Sequence, residues 1–178
     1  VSLNIEVLID ANVTSSVDGD EFARAAEAAA RSRGFDRGEI GIRVTDDPTI
    51  REVNQRHLQH DYPTDVISFG YLAEPPTVEG ELIISVDTAR RRAIELGWKV
   101  SNELLLYAVH GVLHLTGMDD GQPERRREMR LAEQAIMAEL GISELERFGA
   151  DVRRSDQGSS DHAFPDKPPR TAVTEQKS

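Results

Sequence analysis

The segment Tyr107 to Gly121 reads YAVHGVLHLTGMDDG and gathers the residues best suited to chemistry. His110 and His114 are four positions apart, which on an α-helix puts both imidazoles on one face, one turn apart. Gly117 then offers a helix stop, and Asp119 and Asp120 follow at once. Two stacked imidazoles and a carboxylate folding back beside them make a metal-binding arrangement. The alternative is a pair of histidines capping a buried helix through hydrogen bonds. The surrounding run LLLYAVHGVLHL is apolar on nearly all sides, so the helix is expected to be buried. Burying two imidazoles requires strong partners, and a metal is one. Gly111 costs about 1 kcal/mol relative to alanine inside a helix. Close approach of another backbone or a ligand would explain it.

The chain that must position these groups has 178 residues, 38% apolar and 30% charged. That composition fits one soluble globular domain with some disordered length. There are no cysteines, which excludes disulfides and thiolate sites and leaves nitrogen and oxygen ligands. No apolar run approaches the ~20 residues that span a bilayer, so no membrane partner is expected. The opening VSLNIEVLID lacks a basic, signal-like segment, and a cytoplasmic location is expected. Net charge is −11. Residues 151–178 hold five acids and five bases, so residues 1–150 carry all of it. This argues against broad non-specific nucleic-acid binding, and no DNA partner is expected. The net charge does not forbid a local basic groove. Arg90, Arg91 and Arg92 form one cluster, and Arg125, Arg126, Arg127 and Arg130 another. Both read as solvated helix faces paired with nearby glutamates.

Periodicity predicts a strand at Leu3 to Ile9, an Ala-rich helix at Asp18 to Arg33, and a strand around Ile40 to Val44. Asp47-Pro48 starts a helix with an N-cap and an early proline, carrying Ile50, Val53 and His57 on one face. Asp65 to Tyr71 and Glu81 to Val86 read as strands, with the two-proline stretch Glu74 to Gly80 as a loop. Asp87 is expected to cap a helix ending at Gly97, and Ser101 the helix carrying the histidines. Pro123 opens a last helix with Ala132, Ala135, Ile136 and Leu140 inward, closed by Gly141. The expected fold is a single α+β domain over residues 1–149, a small mixed sheet of about four strands packed with about five helices. Residues 150–178 are polar and Pro/Ser-rich and read as a disordered tail.

Three strings occur in order: NQRHLQHDYPTDVISF (Asn54 to Phe69), GELIISVDTARR (Gly80 to Arg91) and HGVLHLTGMDD (His110 to Asp120). Together they resemble the YbeY family, bacterial endoribonucleases of ribosomal RNA maturation, over roughly residues 3–147. The resemblance implies a compact α+β fold, one metal ion described as zinc, and a pattern HGxLHLxGYDH whose three histidines are ligands. His110 and His114 match the first two. Asp120 stands at the third, so the implied set is His110, His114 and Asp120. Two histidines and a carboxylate suit catalytic zinc with a fourth position open. The harder oxygen donor also admits Mn2+ or Fe2+. Asp119 matches the family's own aspartate and is read as an outer partner of the ligands. Met118 replaces an aromatic residue and reads as packing.

A second departure concerns substrate. The family usually carries an arginine four residues after the position of Asn54, thought to hold RNA phosphate, and here that position is Leu58. Arg56, His57 and His60 are the candidate replacements, Arg56 favoured on charge. On a regular helix Arg56 lies about 200° from position 58 and needs a bent or frayed helix end. His60 lies in the following loop. Thr64-Asp65 and Ser85 with Asp87 read as turn, strand-end and cap devices.

The resemblance implies single-strand-specific metal-dependent endoribonuclease activity in ribosomal RNA processing, including small-subunit rRNA 3′-end maturation. It also implies precursor rRNA and the small ribosomal subunit as partners. Lewis-acid assistance or an activated water serves phosphodiester cleavage. The zinc-protease pattern HExxH has a glutamate where Gly111 stands, which counts against peptide hydrolysis. Two other readings stay open. One is a catalytically weak or inactive small-subunit assembly factor, motivated by Leu58 and Asp120. The other is a metallohydrolase of another substrate, motivated by the charge.

Overall fold

The computed structural model describes residues 2–143. Strand β1 (Leu3–Ile9), helix α1 (Gly19–Ser32), strand β2 (Arg37–Thr45), helix α2 (Asp47–Leu58), strands β3 (Val66–Glu74) and β4 (Thr77–Ser85) and helices α3 (Val86–Leu96), α4 (Val100–Leu115) and α5 (Pro123–Glu139) follow in order. The sheet runs β1-β2-β4-β3. β1, β2 and β4 are mutually parallel, and β3 lies antiparallel to β4. This is the α+β domain with a four-stranded mixed sheet and five helices.

Alternation puts Ile40, Ile42 and Val44 of β2 and Val78, Leu82 and Ile84 of β4 into the core. α1 and α4 cover that layer, with α3 beside α4 and α5 against α4 and α1. α1 starts in a capping box, with Glu21 N–H donating to Asp18 and Asp18 N–H to Glu21. It buries Phe22, Ala25, Ala26, Ala29 and Ala30. That small-residue stripe lets α4 sit close. α4 is buried over most of its length, as its apolar run demands.

The seat of α4 depends on two glycines. A Cβ on Gly111 would meet Leu82 Cδ2 at 2.7 Å, and one on Gly80 would meet Leu115 Cδ2 at 2.6 Å and the Phe69 carbonyl oxygen at 2.7 Å. Ser68 Oγ donates to the Gly111 carbonyl at 3.3 Å, tying α4 to β3. The close approach expected at Gly111 is therefore to the sheet. Gly80→Ala is expected to lower stability by about 1–3 kcal/mol, because the Phe69 backbone yields less easily than a side chain. Thermal or urea unfolding reads this out, and an unchanged midpoint would contradict the packing.

Several expectations are corrected. Glu74 to Gly80 is not a loop. β3 runs to Glu74 and β4 starts at Thr77, with Pro75-Pro76 making the hairpin turn. Proline is compatible with that position because a turn asks for no ladder N–H. The cap of α2 is Asp46, which accepts the Thr49 N–H, and Asp47 is its first helical residue. The cap of α3 is Ser85, and Asp87 instead accepts the Asp47 N–H. α4 begins at Val100 with no side-chain cap, so Ser101 does not cap it. α2 buries Ile50 and Asn54 and leaves His57 exposed, edge-on to Phe69. α5 leaves Ala135 exposed and buries Met129, Glu133, Ile136 and Met137. The tail expected over 150–178 lies outside the described residues.

Candidate metal centre

α4 carries His110 and His114 one turn apart on the side facing α5. Their Nε2 atoms are 3.0 Å from each other. α4 ends at Leu115, and Gly117, at φ 99°, reverses the chain. The turn brings Asp120 back beside the imidazoles. Its Oδ2 lies 3.8 Å from His110 Nε2 and its Oδ1 3.7 Å from His114 Nε2. One donor atom from each of the three residues lies within 4.8 Å of the others, a group that could hold a metal ion. Tetrahedral bonds of about 2.0–2.1 Å place donors about 3.3–3.4 Å apart. The two imidazole nitrogens lie inside that value at 3.0 Å, and each reaches a different Asp120 oxygen beyond it, at 3.8 and 3.7 Å. Two imidazoles and one carboxylate within this reach are a donor set of the kind that holds a divalent ion.

The electrostatics suit cation binding. Burial pushes the His114 imidazole down to about 3, and the neighbouring His110 adds to the effect, so His114 is neutral near pH 7 and offers a lone pair. Burial raises the Asp120 carboxyl, against the pull of His110 and Arg130. Burial would also raise Glu133, but Arg130 and His110 outweigh it and hold Glu133 below the usual carboxylate range. Glu133 is fully buried and accepts from Arg130 Nη1 at 2.7 and 3.0 Å. It also hydrogen-bonds His110 Nδ1.

Asp119 does not take the expected place behind the ligands. It is exposed, pairs with Arg125 at 2.8 Å and accepts the Gly121 N–H at 2.8 Å, which pins the turn that carries Asp120. Glu133 is the partner that sequence reasoning missed. Its signal was spacing: Glu133 stands midway between Met129 and Met137, four residues from each, on the apolar stripe of α5.

The other candidates lie on or just after α2. That helix runs regularly to Leu58, with Gln59 in the left-handed region as its cap. The bend that Arg56 needs is not there. Arg56 is exposed and paired with Glu52 at 2.7 Å. Leu58 is half-buried. His60 stacks on Tyr62 with ring centroids 5.3 Å apart, and the Tyr62 hydroxyl meets its Nδ1 at 3.1 Å. Asn54 donates to the Tyr62 carbonyl at 2.9 Å, and Arg51 pairs with Asp61 at 2.8 Å, so this loop is tied to α2. The Thr64 hydroxyl and the Val66 N–H both donate to Asp65 Oδ1, a local turn.

Fold and site together define a small α+β protein with two imidazoles and a carboxylate converging from one helix and its following turn. A family model described as Endoribonuclease YbeY matches residues 9–141. A Rhodopirellula baltica protein named Endoribonuclease YbeY is 56% identical over 124 residues, covering 68% of this chain and 64% of that protein. A Chloroherpeton thalassium protein of the same name is 36% identical over 136 residues, covering 76% of this chain and 96% of its own. The solution structure of a Thermotoga maritima protein aligns with TM-score 0.53 at 20% identity, covering 89% of this chain and 99% of the other, a likeness of fold. The chain belongs to the YbeY family.

Proposed function

We propose that this protein is a single-strand-specific metallo-endoribonuclease of ribosomal RNA processing, including maturation of the small-subunit rRNA 3′ end. The observation that carries the reading is the convergence of His110, His114 and Asp120 in a member of this family. We assign these three as ligands of one ion, zinc first, with Mn2+ or Fe2+ admitted by the Asp120 oxygen. When bound, such an ion supplies Lewis acidity toward a phosphoryl oxygen and makes water more acidic. The residues around it hold the ligands and limit the chemistry. Gly111, in the slot where HExxH proteases keep their base, has no side chain and abuts Leu82. Glu133 is engaged by Arg130 and His110 and is not free to serve as that base. Both facts disfavour peptide hydrolysis.

Precursor rRNA is the proposed substrate and the small ribosomal subunit the proposed partner, in the cytoplasm. No described helix is long and apolar enough to cross a membrane. Arg56 and His60 are the proposed RNA contacts, Arg56 from the exposed face of α2 where it pairs with Glu52 and not from the position of Leu58. The Arg56–Glu52 pair is a surface pair worth about 0–1 kcal/mol, so a phosphate can displace Glu52. The His60–Tyr62 stack offers an aromatic face to an unpaired base, an interaction worth about 1–3 kcal/mol per base.

The test is cleavage of single-stranded RNA with and without chelator. Activity should vanish with chelator and return with a divalent ion. In the same assay Arg56→Ala and His60→Ala should raise KM severalfold and leave metal content unchanged. Unchanged KM in both would remove them from the RNA path. The second reading, an assembly factor without activity, is favoured by Leu58 and Asp120. Its mark is small-subunit binding with no cleavage in any divalent metal.

A further inference from the structure

α5 buries one acidic side chain among its apolar ones, Glu133 between Met129 and Met137. A carboxylate taken out of water costs several kcal/mol unless it is paired and hydrogen-bonded. Glu133 has 0% side-chain exposure and meets two partners. Arg130 Nη1 spans both oxygens, at 3.0 Å from Oε1 and 2.7 Å from Oε2. His110 Nδ1 meets Oε1. An ionised carboxylate only accepts, so the proton of this hydrogen bond sits on Nδ1. The His110 Nε2 is left as a lone pair, and it faces His114 Nε2 at 3.0 Å and Asp120 Oδ2 at 3.8 Å. A pair needed only for packing would have no reason to end on the ring nitrogen opposite the site, and apolar residues of similar volume would fill the space as well.

We propose that Glu133, itself oriented by Arg130, is a positioning residue that fixes the Nδ1–H tautomer of His110 and aims its Nε2 at the metal centre. The inference rests on the proposed ligand set of His110, His114 and Asp120. Arg130 acts through Glu133, by holding the carboxylate against α4 with Oε1 toward the imidazole. Outer carboxylate partners of this kind orient a ligating histidine and make it more basic, and their loss typically costs about 10- to 100-fold in metal affinity.

The test joins two readouts on the 178-residue protein. Histidine 15N NMR of the metal-free protein should show His110 protonated at Nδ1 and bare at Nε2. Titration with Zn2+ alone and with Mn2+ alone should show affinity lowered about 10- to 100-fold in Glu133→Leu and by less in Glu133→Gln, whose amide oxygen still accepts from Nδ1. Arg130→Met should weaken binding in the same direction. If leucine prevents folding, the wild-type tautomer and the Glu133→Gln titration decide alone. An Nε2–H tautomer in the wild type overturns the proposal, as does wild-type affinity in every folded Glu133 variant. A wild-type protein that binds neither ion, or His110→Ala that keeps its ion, would instead overturn the ligand set. The tautomer measured without metal reports on Glu133 in either case.

Discussion

Alanine at His110 or at His114 is expected to strip the protein of its metal and abolish RNA cleavage. Each substitution removes one of three protein donors. The loss should therefore exceed the about 10- to 100-fold typical of losing an outer partner. The two variants should differ in stability. His110→Ala leaves the buried Glu133 with Arg130 alone. An incompletely satisfied buried acceptor costs about 1–3 kcal/mol. His114→Ala removes only a 3.7 Å contact of the part-buried Asp120, which keeps His110 at 3.8 Å. Elemental analysis should find both variants without stoichiometric metal, and unfolding should place His110→Ala below His114→Ala. One full equivalent of metal retained in both would falsify the ligand assignment.

The second large effect separates two adjacent aspartates. Asp120→Ala is expected to lose the metal, because its carboxylate is the third member of the donor group. Asp119→Ala is expected to keep it and to cost about 1 kcal/mol or less, since what it loses is an exposed pair with Arg125 and a turn hydrogen bond. Asp120→His should keep metal binding and move preference from Mn2+ or Fe2+ toward zinc, as an imidazole replaces a hard oxygen donor. Competition between Zn2+ and Mn2+ across the three variants reads this out. Metal lost in Asp119→Ala and kept in Asp120→Ala would mean that the register of the turn after Gly117 is wrong.

These residues also show how far a sequence can be read. The pair on α4 was legible because four-residue spacing is a helical property and the apolar run around it announces burial. The return of a carboxylate was legible from Gly117, whose φ of 99° reverses the chain. Which aspartate returns was not legible from spacing. It came from the family register, and the geometry brings Asp120 to the imidazoles and Asp119 to Arg125. Nothing in composition singles out Glu133, because a glutamate on a charged helix is usually solvated. Only its position on the Met129–Met137 stripe distinguishes it. Proline breaks ladders, so the two-proline stretch reads as a loop in sequence, yet both prolines form the turn and their neighbours pair. The caps moved by one or two residues, as at Asp46 for Asp47 and Ser85 for Asp87. Ser, Asp and Thr cluster at those helix starts, and local propensity does not choose among them. Charge favours Arg56. The regular end of α2 keeps it on an exposed face with Glu52.

The measurement that bears most directly on the central claim is metal analysis of the purified protein beside cleavage of a single-stranded RNA, with and without chelator. The account predicts about one equivalent of a divalent metal per chain, as expected of a single three-ligand site. It also predicts cleavage that chelator stops and added Zn2+ or Mn2+ restores. Cleavage that persists after the metal is removed, or metal bound at full stoichiometry with no cleavage in any divalent ion, would contradict it.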